Sequence, residues 1–207
     1  MNHVDFTYNL EKDVENFLKG LQSVNNPNPT KLHEEFFEKH GKEVERSLVK
    51  LFLEEKIKTD GVDFGEKIKV IETEWRPLET AFFSRCEEMF DMSLPTPITG
   101  YVSLNSRCTY NWKDNYFFLS FYSKNSILTV MHELLHFYTH RKFEDLVLDK
   151  QKFNEIKEAL TVLLNFDFKD LMGEQVDKGY EQHLATREKI LQLRKEGKTI
   201  AEIVAIL

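Results

Sequence analysis

"TVMHELLHFYTH" runs from Thr129 to His140 and sets three histidines, His132, His136 and His140, at four-residue spacing. On a helix, residues four apart lie on one face, one turn from each other. His132 and His136 can therefore converge on one metal ion, and imidazole is a suitable zinc ligand. Glu133 follows the first histidine, so "HELLH" is the H-E-x-x-H pattern in which the glutamate stands beside the metal as general base. The lead-in "SILTVM" and the residues Leu134, Leu135 and Phe137 are apolar, which predicts a buried helix whose polar residues have a purpose. His140 lies two turns from His132, about 12 Å along the axis, out of reach of a metal held by the other two. It reads as a histidine favoured at a helix C-terminus, or as a group behind the ligands.

The rest of the chain frames this helix. A length of 207 residues suggests one domain, 1–207, with a helical part over 1–95 and the site-bearing part over 96–207. Hydrophobic residues make up 41% and charged residues 30%, an ordinary globular balance. The net charge of −7 argues against broad nucleic-acid binding, which needs a positive surface. The N-terminal stretch carries no secretory pattern, and no apolar run has membrane-spanning length. Cys86 and Cys108 read as reduced thiols, which together with the missing signal points to the cytoplasm and to no membrane partner.

Glycine (8) and proline (5) are scarce, as expected of long helices. Helical spacing appears around Val14, Phe17, Leu18 and Leu21, and "NNPNP" (25–29) then reads as a loop. It resumes in "HEEFFEKHGKEVERSLVKLFLEE" and in "FGEKIKVIETEWRPLETAFFSRCEEMF", where Pro77 should kink or divide the helix. After Pro95 and Pro97, two β-branched and aromatic runs, 98–110 and 116–122, flank "NWKDN" as a hairpin would. The second run could be an edge that pairs with a peptide, but its aromatic density favours sheet core. Further helices are predicted over 126–140, 151–165, 180–196 and 199–206, the last opened by a capping-box spacing of Thr199 and Glu202. The fold class is α+β: helices, a small antiparallel sheet or hairpin, then the histidine helix and C-terminal helices. "LRKEGKTIAEIVAIL" looks like the first half of a helix-turn-helix, but an amphipathic closing helix is the better reading.

Two histidines need a third protein ligand. "KFNEIKEALTVLLN" offers Glu155 and Glu158. Phe153, Ile156, Leu160, Leu163 and Leu164 form one apolar stripe, and Glu158 lies nearly opposite it, flanked by Thr161, Val162 and Asn165. This facing favours Glu158. Glu155 sits nearer the helix start, where an acid is favoured by the dipole, but it follows His136 after 18 intervening residues and comes directly after Asn154.

With His132-Glu133-x-x-His136 and a downstream acidic helix, the chain resembles the zincin metallopeptidases, in the small gluzincin-like form. The resemblance covers about 98–165 and extends loosely to the C-terminus. The metzincin arrangement does not fit, since no glycine occurs between His136 and Gly173. A clear N-E-x-x-x-D signature is missing. The resemblance implies a sheet that holds a peptide or protein substrate on its edge strand, with the active-site helix beneath. It implies Zn2+ held by His132, His136 and Glu158, and a zinc-activated water deprotonated by Glu133. It also implies a tyrosine or histidine from the C-terminal part as oxyanion donor. Tyr180 and His183, three apart on one predicted helical face, are the candidates, with Arg187 one turn on. The rival expectation is a zinc-containing interaction or toxin-type protein without hydrolytic activity.

Overall fold

A computed structural model describes residues 2–22, 28–147 and 149–207. Most of the "NNPNP" stretch lies outside the described residues. The order of elements is β1 (Val4–Thr7), α1 (Leu10–Gly20), α2 (Lys31–His40), α3 (Arg46–Thr59) and α4 (Phe64–Phe90). Then come β2 (Ile98–Ser103), β3 (Tyr110–Asn111) and β4 (Tyr116–Ser120). The helices α5 (Ser126–Phe143), α6 (Lys150–Leu160), α7 (Leu164–Asp167), α8 (Lys169–Met172), α9 (Leu184–Lys195) and α10 (Ile200–Ile206) complete the α+β chain. The described residues pack as two compact units, one of 4–74 with 97–126, the other of 75–96 with 127–207 and the first residues of the chain.

The first unit carries a four-stranded sheet in the order β1-β2-β4-β3. It is mixed, not antiparallel. β1 runs parallel to β2, β2 parallel to β4, and only β3 and β4 are antiparallel. The "NWKDN" turn joins β3 to β4 alone, with Asn115 at φ 54° and the Asn111 side chain accepting from the Lys113 and Asp114 backbone. The run 98–110 therefore breaks after Ser103, and the cause lies on α1. Asp13, buried, accepts from Ser103 Oγ at 2.5 Å and from Leu104 N, while Asn16 Nδ2 donates to the Arg107 carbonyl at 3.1 Å. Backbone groups that would continue a ladder are satisfied by these side chains instead. β4 is buried at every residue, as expected of a strand covered on both faces, and β2 and β3 lie on either side of it. Its aromatic density is thus core and not edge. Gly100 sits between Phe6 and Phe117, whose rings would meet an added Cβ at 2.7 and 3.2 Å, so no larger residue fits.

Gly41 (φ 74°) ends α2 and separates it from α3, where the sequence showed one helical stretch. Pro77, by contrast, does not divide α4, which runs from Phe64 to Phe90. Ile71, Trp75, Phe82 and Phe83 are buried on either side of the proline, and this burial outweighs the hydrogen bond that proline removes. The helix gives its residues to both units, changing over at Trp75.

The second unit is helical. Trp75 meets Phe82, Phe82 meets Phe168, and Phe90 stacks on Tyr138 of α5 at 5.2 Å between ring centroids. Val130, Met131, Leu134, Leu135, Phe137 and Tyr138 bury α5 on several sides, as expected for an apolar histidine helix. The predicted 151–165 helix is α6, capped by Asp149, followed by a 3₁₀ turn at Thr161–Leu163 and then α7. The predicted 180–196 helix starts later: Tyr180 is extended and a 3₁₀ turn at Glu181–His183 leads into α9. The capping box of Thr199 and Glu202 opens α10, whose Ile200, Ile203 and Val204 are buried. Among the described residues no helix is long and apolar enough to cross a membrane.

Candidate metal centre

α5 places His132 and His136 one turn apart with ring centroids 4.5 Å from each other. α6 brings Glu158 to them: its Oε2 lies 3.5 Å from His136 Nε2 and 4.0 Å from His132 Nε2. One donor atom from each of the three lies within 4.8 Å of the others, and the group could hold a metal ion. Two neutral imidazole nitrogens and one carboxylate oxygen form a donor set that several divalent first-row metals accept.

The two acids of α6 separate cleanly. Glu158 is buried and faces the histidines, while Glu155 is half-buried and accepts from the Thr186 hydroxyl, outside the group. His140 is also outside it: its ring packs on Phe153 and its Nδ1 lies 3.5 Å from Glu144, where the last turn of α5 ends.

Glu133 is 5% exposed, and its Oε2 has no hydrogen-bond partner. Burial pushes its carboxyl up to about 7. Burial likewise pushes His136 down to about 3, which keeps the imidazole neutral and able to donate a lone pair. Burial opposes the charge of Glu158, but the Lys157 ammonium bonded to it holds this carboxyl well below the ordinary range.

The sequence reading did not include Asp177. His132 Nδ1 donates to Asp177 Oδ2 at 2.6 Å. Because a carboxylate only accepts, this bond puts the proton of the neutral ring on Nδ1 and leaves the Nε2 lone pair facing Glu158. Burial disfavours a charged His132, yet the Asp177 bond raises its pKa overall. Asp177 is itself held from several directions. Arg187 Nη2 donates to its Oδ1 at 2.9 Å and to its carbonyl at 2.6 Å, and Thr161 Oγ1 lies 3.0 Å from Oδ1. Asn165 pairs with its backbone at 2.8 Å in both directions. Gly179 (φ 61°) lets the chain pass over the Arg187 guanidinium, which a Cβ there would meet at 2.5 Å. Arg187, foreseen near the reaction, thus serves the Asp177 loop. Asp177→Asn should weaken metal binding about 10–100-fold, as loss of a partner behind a ligand does. Competition for zinc against a chromophoric chelator, with circular dichroism to confirm folding, checks this.

Tyr180 and His183 do not share a helical face, since the helix begins after them. Tyr180 is 39% exposed, and its ring lies 6.1 Å from that of His183. His183 is buried, and neither ring nitrogen has a hydrogen-bond partner. It is not among the three residues that converge. Asp177 carried no signal in the sequence beyond an acid in an irregular stretch, and its role depends on where the loop 173–180 lies.

No protein-family model matches the chain, and neither does any curated protein or solved structure with which it was compared.

Proposed function

We propose that the protein is a zinc-dependent hydrolase of peptide bonds, a metallopeptidase, with His132, His136 and Glu158 as the ligands. The observation that carries this reading is the approach of Glu158 Oε2 to both histidine Nε2 atoms, next to a buried Glu133 whose Oε2 has no partner. Three protein donors leave a coordination position open, as in catalytic sites, whereas structural zinc sites are closed by four. This favours chemistry over the rival reading of a non-catalytic zinc-containing interaction protein.

Zinc, when bound, supplies a Lewis acid that acidifies water and polarises a carbonyl. The protein's own groups do the rest. Glu133 takes the proton of the attacking water and hands it to the leaving amine. Asp177 holds the His132 ring in the tautomer that ligation needs, and Arg187 holds Asp177. His183, buried with both ring nitrogens unbonded, is the better candidate for the donor to the developing oxyanion, ahead of the more exposed Tyr180.

Protein prepared without chelator should carry about one zinc per chain by native mass spectrometry, as one three-ligand site requires. It should also cleave members of a peptide library, and a chelator should stop the cleavage. A chain that refuses added zinc would end the metallopeptidase reading; a chain that binds zinc but cleaves nothing would favour the interaction protein.

A further inference from the structure

Lys157 comes directly before Glu158 on α6, yet both side chains are buried, at 6% and 7% exposure. Consecutive helical residues point about 100° apart, so this burial is not the ordinary fate of a lysine beside a ligand. Its Nζ donates to Glu158 Oε1 at 2.5 Å, while the other oxygen, Oε2, is the one that faces His132 and His136. The carboxylate is therefore divided between two tasks, one oxygen held by the lysine and one turned to the histidines.

We propose that Lys157 is a positioning residue that holds Glu158 to ligation through a single oxygen. The inference rests on the metal site described above and adds what limits its coordination number. A carboxylate can bind a metal through one oxygen or two. With Oε1 engaged by Lys157, only Oε2 is offered, and the protein contributes three donor atoms. Without that bond the carboxylate can turn both oxygens to the metal and fill the position that the reaction needs.

Cobalt(II) in place of zinc reports this directly, because its visible d–d absorption is intense in four-coordinate sites and weak in five- or six-coordinate ones. The full chain loaded with one cobalt should show the intense spectrum. Lys157→Met should bind the same amount of cobalt with an absorption several-fold weaker and moved to shorter wavelength. Lys157→Gln, too short to span the same distance, carries the same expectation where the Met variant does not fold. A fall in melting temperature with an unchanged spectrum would make Lys157 structural only and overturn the proposal. A weak wild-type spectrum would overturn it as well. A wild type that takes up no cobalt or zinc would remove the metal site itself, an outcome that the spectra of a loaded protein cannot be confused with.

Discussion

Glu133→Gln should lower peptide hydrolysis about 10²–10⁴-fold while leaving zinc bound, because the residue is assigned as base and not as ligand. Shape and volume barely change, so the packing of α5 should survive. Removal of a buried carboxylate with an unpartnered oxygen should not cost stability, since the charged form is the one that burial penalises. Turnover of a substrate found in the peptide library, with zinc measured on the same sample, separates the two properties. Unchanged turnover would take Glu133 out of the mechanism. Loss of zinc together with activity would show that Glu133 supports the metal.

Glu158→Gln should have the second large effect, on metal and on stability together. Loss of a charged ligand should weaken zinc binding by more than the roughly 100-fold that loss of a supporting group costs. It also removes the negative charge to which Lys157, buried at 6% exposure, is bonded, a loss that should destabilise the fold. The metal-free variant should therefore melt well below the metal-free wild type. Glu155→Gln should do neither, because Glu155 bonds Thr186 away from the histidines. Zinc competition and thermal unfolding, run side by side on the two variants, distinguish them. If Glu155→Gln loses zinc and Glu158→Gln keeps it, the ligand assignment is reversed; if both keep it, the third ligand is neither.

The features that a helix alone determines were legible in the sequence. His132 and His136 are placed relative to each other by the 3.6-residue repeat, so their convergence needed no knowledge of the rest of the chain. The choice of Glu158 over Glu155 followed from the apolar stripe of α6, since the stripe must face the core and the acid opposite it must face something else. The capping box at Thr199 is likewise a three-residue matter.

The rest was decided by contacts between segments far apart in sequence. β2 pairs in parallel with β4 and ends at Ser103, where Asp13 and Asn16 of α1, about ninety residues away in sequence, bond to Ser103 and to the backbone beyond it, and no local pattern in 98–122 announces them. β1 is a four-residue strand, too short for periodicity to identify. Asp177 lies in an irregular stretch without a repeat that would aim its side chain; Arg187, Thr161 and Asn165 aim it, from two helices and a 3₁₀ turn. Lys157 looks in sequence like a solvated lysine, and only the closure of α6 over the histidines buries it against Glu158. Spacing along α5, together with the apolar stripe of α6, thus pointed to the residues that could bind a metal. The tertiary structure decided which groups hold those ligands in place, because a hydrogen bond between distant segments has no signature in either segment alone.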